Sequence, residues 1–596
     1  MTMLASAVGV VIVSLLSGLV SLLFFIAMVV AIGSSGKDST TVVLPHSVLK
    51  VELSKISGDR VATDLSFSFS EGKTVGLVDA VHAIQAAATD DKITALYLTG
   101  AGEMSVSWGS GTELRDALQV FAQSGKPIVA YDASYSQGAY YLCSVADRLC
   151  LHPAGMVDFR GMGAEVIYYK DLLEKLGVEM QLVRPASCDY KSAGEVYTLN
   201  HMSAANREQI RAYIASIWNT ATASIAESRG LSVADLNRIA DDLSGYLATD
   251  ALATRMVDTL CFEADVKAML RDRYDGKQMV LLEKYAANVK AMPSTAKDAV
   301  AVIYAEGDVV DGTARGFSTA VYGDDIVKAL RDAADDDDVK AIVLRVNSPG
   351  GQATASESMV HAVMAAREKK PVVVSMGDLA ASAGYEMSCM ADVIVAQPTT
   401  ITGSIGVFGV IPNTGKLLRQ KLGLNSDTVG TNRNSNGLSA FRPLSPTAMA
   451  MMERNVEDFY KVFVGRVAEG RHMDYEAVHR IARGRVWTGA DALGIGLVDT
   501  LGGIDLAIAI AAQRAGIADA YRVKELPVEK DTWEQLASMF GNGDDDLSLM
   551  AKLGLAARWK LQGKQWKPLS RLEQDLLFVS QSEGVMARLP FVLVAD

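Results

Sequence analysis

The stretch Thr249-Asp250-Ala251-Leu252-Ala253-Thr254-Arg255-Met256-Val257-Asp258-Thr259-Leu260 recurs as Gly489-Ala490-Asp491-Ala492-Leu493-Gly494-Ile495-Gly496-Leu497-Val498-Asp499-Thr500-Leu501, with Asp258 and Asp499 an offset of 241 apart. Self-similarity at one long period marks a domain present twice. Working outward, Tyr135-Ser136-Gln137-Gly138 lies over Ala381-Ser382-Ala383-Gly384 at an offset of 246, so a few residues of insertion separate the copies.

Each copy alternates strand and helix patterns. In the first, Val48 to Leu53, Ala95 to Leu98 and Pro127 to Ala130 are short β-branched or apolar runs, with a helical pattern from Leu77 to Ala88. The second repeats the order with strands at Val300 to Tyr304, Ala341 to Val346 and Val372 to Ser375 and a helix at Ile326 to Ala334. This alternation predicts an α/β fold whose mostly parallel sheets are buried on both faces.

Composition narrows the class. A chain of 596 residues, 49% hydrophobic and 21% charged, has material for two cores. A net charge of -13 argues against nucleic acid, because a duplex binder needs a basic face to displace counterions. The run Asp335 to Asp338 falls where a helix should turn into a strand and reads as a solvated loop, not a cation site. The five cysteines (Cys143, Cys150, Cys188, Cys261 and Cys389) are odd in number and form no Cys-x-x-Cys pair, so they read as small buried hydrophobes.

The first 36 residues carry no charge, and Val8 to Ile32 is almost unbroken in apolar and small residues. That length suits a single membrane-crossing helix, and it lacks the leading cations and short core of a cleaved signal peptide. Residues 527–596 belong to neither repeat. They contain a flexible break at Gly541 to Asp546, a helical pattern from Leu547 to Leu561 and an apolar end, Leu589 to Val594, read as an additional strand.

A serine nucleophile needs a base, and the seven histidines fall in no motif and at no corresponding positions of the two copies. There is no His-Glu-x-x-His and no Cys and His cluster for zinc, so neither a metal nor another cofactor is expected. A lysine base remains, provided that desolvation or neighbouring positive charge makes its ammonium weakly basic.

Ser382, in Ala380-Ala381-Ser382-Ala383-Gly384-Tyr385, follows a predicted strand and opens a small-residue stretch expected to be a helix. Taken alone, that stretch also reads as a close-packed helix against a sheet. Two further elements flank it: Arg345-Val346-Asn347-Ser348-Pro349-Gly350-Gly351, whose turn frees backbone amides, and Thr402-Gly403-Ser404-Ile405-Gly406.

Ser-Pro-Gly-Gly, Ala-Ser-Ala-Gly-Tyr and Thr-Gly-Ser-Ile-Gly in this order resemble the signal peptide peptidase A family of the ClpP/crotonase superfamily, in its long duplicated form, from near Leu44 to near Ala515. The resemblance implies tandem ClpP/crotonase-like domains and a membrane-anchored serine protease of the bacterial envelope. It implies Ser382 as nucleophile and Lys191, in Asp189-Tyr190-Lys191-Ser192, as general base. It also implies an oxyanion hole from Gly350, Gly351 and the amide of Ala383, with Ser404 orienting the lysine. Cleaved signal peptides and other apolar peptides are the implied substrates, a homotetramer the implied assembly. The implied location is the inner membrane, with catalytic domains on the periplasmic side.

Comparison of the copies supports this division of labour. Counting back 12 residues from Ser203 gives Lys191, and from Ser445 gives Arg433, which cannot serve as a base. The first copy keeps Ser136 but has Gly100-Ala101-Gly102-Glu103 in place of the Pro-Gly-Gly turn and Met156 to Gly161 in place of Thr-Gly-Ser-Ile-Gly. The expected organisation is therefore an anchor at 1–36, a lysine-bearing repeat at 44–285, a serine-bearing repeat at 296–520 and a C-terminal extension at 527–596. A crotonase-like enzyme acting on acyl-thioesters and a non-catalytic membrane scaffold are the competing readings.

Overall fold

Strands with apolar side chains on both faces cannot leave either face to water, and here helices cover both. The computed structural model describes residues 42–60, 74–104, 106–292, 294–314, 320–437, 439, 441–527 and 586–588. One sheet has the order Thr259–Leu260, Arg148–Val157, Ile128–Tyr135, Ile93–Thr99, Ser47–Glu52 and Gln278–Leu281, with every pairing parallel. The other runs Val486–Thr488, Ile401–Gly403, Val372–Ala381, Val339–Ser348, Ala299–Glu306 and Arg522–Leu526, with Val393–Ala396 and Thr500–Leu501 branching from Val372–Ala381. Its one antiparallel pairing joins Ile401–Gly403 to Val486–Thr488.

The duplication extends to single hydrogen bonds. The Leu149 amide donates to Asp258 and the Ile394 amide to Asp499, each at 2.7 Å, and each aspartate also pairs with an arginine, Arg229 or Arg471. The long helices Ala204–Arg229 and Pro446–Gly470 both start at a serine, Ser203 or Ser445, whose hydroxyl accepts a backbone amide of the first turn. Such a cap contributes about 1 kcal/mol.

The two sheets do not keep separate cores. Ala381, Ile401 and Val486 from the second sheet pack into the core under the first. Val183 and Cys188, from the segment of the first half between strands Arg148–Val157 and Thr259–Leu260, pack into the core of the second. Strand Glu179–Val183 pairs antiparallel with Gly409–Asn413, crossing the duplication. Between the sheets, fully buried Arg345 donates to Asp59 at 2.8 and 3.0 Å, to Glu113 at 2.7 Å and to Ser375 at 2.9 Å. A buried guanidinium so satisfied fixes one arrangement of the two halves, because any slip strands a charge away from water.

Two expectations change. The strand placed at Val372 to Ser375 continues to Ala381, because the Val339–Ser348 and Ile401–Gly403 strands hydrogen-bond its far end on both sides. The helix after it, Ala383–Glu386, is correspondingly a single turn. Asp335, Asp336 and Asp338 pair at the surface with Lys369, Lys524 and Arg522.

The predicted anchor at 1–36, the Leu547 to Leu561 helix and the Leu589 to Val594 end lie outside the described residues. Among the described residues, no helix is long and apolar enough to cross a membrane. From the C-terminal extension, Met586–Arg588 forms an antiparallel strand against Gly350–Gln352.

Candidate active site

Strand Val372–Ala381 delivers Ser382 to a sharp turn. Its amide donates to the Gly403 carbonyl at 2.8 Å, and its backbone sits at φ 57° and ψ -119°. Few side-chain-bearing residues occupy that region, and holding one there costs on the order of 1–3 kcal/mol. The ladders on both sides of the strand hold the serine in place against that strain.

Lys191 reaches this turn from the other half of the chain. The crossed strand Glu179–Val183 carries the following loop over the second core, where Cys188 buries its side chain and Lys191 turns inward. Within this one chain, Lys191 Nζ lies 2.7 Å from Ser382 Oγ, 2.9 Å from Ser404 Oγ and 2.9 Å from the Ser404 carbonyl. Ser382 Oγ otherwise meets the Gly406 carbonyl at 3.4 Å. Lys191, Ser382 and Ser404 are all fully buried.

Burial in this dry pocket lowers the Lys191 pKa from 10.5 to about 7. Cys188 and Glu386 oppose the fall. Burial, however, raises the Cys188 thiol to about 12 and the Glu386 carboxyl to about 8, so neither holds a full negative charge at neutral pH. Ser356 Oγ donates to Glu386 at 2.6 Å. A neutral amine has two hydrogens and one lone pair. With the hydrogens on the two Ser404 oxygens, the lone pair faces the Ser382 hydroxyl.

The glycine loop is adjacent. Strand Gly350–Gln352 packs against the turn of helix that follows Ser382, whose first residue is Ala383. Gly350 has φ 105°, and a Cβ on Gly351 would lie 2.0 Å from the Val309 carbonyl oxygen, so the backbones approach as only glycine permits. The Gly350 amide donates to Ser348 Oγ at 3.2 Å.

The corresponding place in the first half is spent on structure. Ser136 Oγ accepts the Ala139 amide as a helix cap, and Gln137 accepts the amides of Arg160 and Gly161. Arg433, which the count from Ser445 sets opposite Lys191, is exposed on a loop and takes no part in the pocket. Among the described residues, no group of three or more His, Cys, Asp or Glu side chains could hold a metal. Arg483-Gly484-Arg485, which falls in no motif, touches both the Lys191 and the Ser404 loops. Its only signal was a glycine between two arginines just before a strand.

With this geometry in view, comparison with known proteins is informative. The family model described as peptidase family S49 matches residues 120–276 and 364–518, one segment in each half of the duplication. The chain belongs to peptidase family S49. Protease 4 of Salmonella typhi is 40% identical over 456 residues, covering 74% of this chain and 72% of that protein. Protease 4 of Haemophilus influenzae is 33% identical over 521 residues, covering 84% and 80%. The chloroplastic serine protease SPPA of Arabidopsis thaliana is 31% identical over 441 residues, covering 72% and 64%. This S49 chain is a serine protease.

Proposed function

We propose that the chain is a membrane-anchored endopeptidase that degrades cleaved signal peptides and other apolar peptides in the bacterial cell envelope, with Ser382 as nucleophile and Lys191 as general base. The observation that carries this reading is the 2.7 Å contact between a buried serine and a buried lysine whose pKa falls to about 7. Neutral Lys191 takes the proton of Ser382 as the oxygen attacks the peptide carbonyl. The proton passes to the leaving amine as the C–N bond breaks, leaving an ester on Ser382. Water then gives a proton to Lys191 and adds to the ester, and the proton returns to Ser382 as the acid leaves. The amides of Gly351 and Ala383 are assigned to the tetrahedral oxyanion, joined by that of Gly350 when it exchanges Ser348 Oγ for the oxyanion, and Ser404 to orienting the lysine.

Peptide binding has support in the edge of strand Gly350–Gln352. An extended substrate binds by adding a strand to a sheet edge, and this edge already accepts Met586–Arg588 in antiparallel register, Gly350 opposite Arg588 and Gly351 opposite Ala587. Residues 1–36 serve in this reading as the single-pass anchor in the inner membrane, with two ClpP/crotonase-like repeats, 44–285 and 296–520, on the periplasmic side and four chains to an assembly. A crotonase-like acyl-thioester enzyme or a scaffold would have no use for a dry lysine on a serine hydroxyl.

Labelling with a serine-reactive fluorophosphonate tests the reading. Wild type should label, Ser382→Ala should not, and Lys191→Ala should label at a small fraction of the wild-type rate. Unchanged labelling of Ser382→Ala would overturn it.

A further inference from the structure

We propose that Arg483-Gly484-Arg485 is a positioning clamp that holds Lys191 against Ser382, and that Gly484 must lack a side chain for the lysine to reach. The inference rests on the assignment of Lys191 as base and adds residues that touch neither substrate nor the reacting hydroxyl.

Three consecutive residues stitch the two loops together. The Tyr190 amide donates to the Arg483 carbonyl at 3.1 Å, the Gly484 amide donates to the Ile405 carbonyl at 2.8 Å, and the Ser404 amide donates to the Arg485 carbonyl at 2.7 Å. The lysine loop and the Ser404 loop thus hang from one short segment of backbone. The side chains repeat the pattern. Arg483 makes a two-pronged pair with Asp189 at 2.8 and 2.5 Å, and Arg485 pairs with Glu208 at 2.9 Å. The Tyr190 ring has the Arg483 guanidinium 5.4 Å and the Arg485 guanidinium 4.9 Å from its centroid, and its hydroxyl donates to Glu208 at 3.0 Å. The residue before Lys191 is therefore gripped at its amide, its ring and its hydroxyl.

Gly484 is the point of closest approach. It lies at φ 79°, and a Cβ built there would sit 2.5 Å from Lys191 Cβ, 2.7 Å from its amide nitrogen and 2.8 Å from its Cα. Two of these three atoms are backbone and none is the end of a flexible side chain, so the collision cannot be relieved by a rotamer change. Either Lys191 or the 483–485 backbone has to shift, and because that backbone holds both the Tyr190 amide and the Ser404 amide, either shift disturbs the lysine's contacts with Ser404 and Ser382.

Gly125 supplies a control, because it has the same φ of 79° and open space where its Cβ would be. Gly484→Ala and Gly125→Ala therefore both place alanine at the same left-handed φ, and only the first strikes Lys191. With an apolar peptide substrate and the full chain, Gly484→Ala should lower kcat by about 100-fold or more, as a misplacement near 1 Å does, with KM changed little. Its pH profile should move toward alkaline values as the lysine loses its dry surroundings, where Cys188 and Glu386 are the ionisable groups that act on it. Gly125→Ala should stay within about twofold of wild type.

Should Gly484→Ala fail to fold, charge exchange gives the second readout. Arg483→Glu sets like charges against Asp189 and should lower kcat, and adding Asp189→Arg should restore most of it. Equal kcat and pH profile for the two alanine variants, or no loss with Arg483→Glu, would overturn the clamp. Loss of turnover in Ser382→Ala and Lys191→Ala alongside that result would leave the proposed mechanism standing. Retention of turnover in those two variants would remove the mechanism itself.

Discussion

Raising the pH from 6 to 9 should trace the loss of one proton from Lys191. With a pKa of about 7, the neutral fraction of this lysine is about 0.1 at pH 6, about 0.5 at pH 7 and about 0.9 at pH 8. If proton removal from Ser382 limits acylation, kcat/KM should rise about tenfold between pH 6 and 8 and then level off. An ordinary lysine at 10.5 would be neutral only to about 0.3% at pH 8, and its rate would still be climbing tenfold per pH unit at pH 9. The assay is stopped-flow phosphonylation by a fluorophosphonate, in which the Ser382 oxygen displaces fluoride from phosphorus as its proton is removed, so the rate reports that step without product release. A flat rate from pH 6 to 9 would refute a lysine base. A rate still climbing steeply above pH 9 would refute the dry pocket, since only desolvation brings the lysine so low.

Other outcomes follow from the same geometry. Lys191→Met should be inactive yet reveal the cost of burying the amine. Because the folded pKa lies below the unfolded one, that cost is fully present below pH 7 and is relieved as pH rises toward 10.5, so the stability difference between wild type and variant should shift by about 3–4 kcal/mol in favour of wild type from pH 7 to 10, measured by urea unfolding. A difference independent of pH would contradict it. Ser136→Ala should retain turnover within about twofold and lose about 1 kcal/mol of stability with its helix cap, read by peptidase assay and thermal melting. Arg345→Met should cost about 3–5 kcal/mol, because Asp59 and Glu113 would remain buried beside it without a partner, and a melting midpoint close to wild type would count against the ion cluster as the lock between the halves.

What could be read in the sequence and what could not divides along a physical line. Hydrophobic period and β-branching placed the strands at Ser47–Glu52, Ile93–Thr99, Ala299–Glu306 and Val339–Ser348 to within a few residues, because buried parallel strands must be apolar on both faces. The end of Val372–Ala381 was less legible. Gly377 and Asp378 look like a strand break, and only neighbouring strands, distant in sequence, keep that segment in the ladder. The glycine and serine motifs around Ser382 were visible because close backbone approach leaves a compositional trace. The Arg483-Gly484-Arg485 contacts leave almost none. An arginine on a surface ion pair looks like any other, and a glycine there reads as a turn.

Partnership across the duplication had one legible clue, the arginine that the second copy carries opposite the lysine of the first. Arg433 proved to be exposed on a loop, so the clue pointed to the absence of a second lysine and said nothing of the arginine's own place. What brings Lys191 to Ser382 is the crossed strand pair of Glu179–Val183 with Gly409–Asn413, together with the burial of Val183 and Cys188 in the opposite core. Neither short strand has a hydrophobic pattern that would specify a partner more than 220 residues away. The apolar surface that holds the lysine loop in place also excludes water from its amine. Weakening that packing should therefore misplace the proposed base and raise its pKa together, which ties the geometry and the protonation of Lys191 to how the two halves interlock.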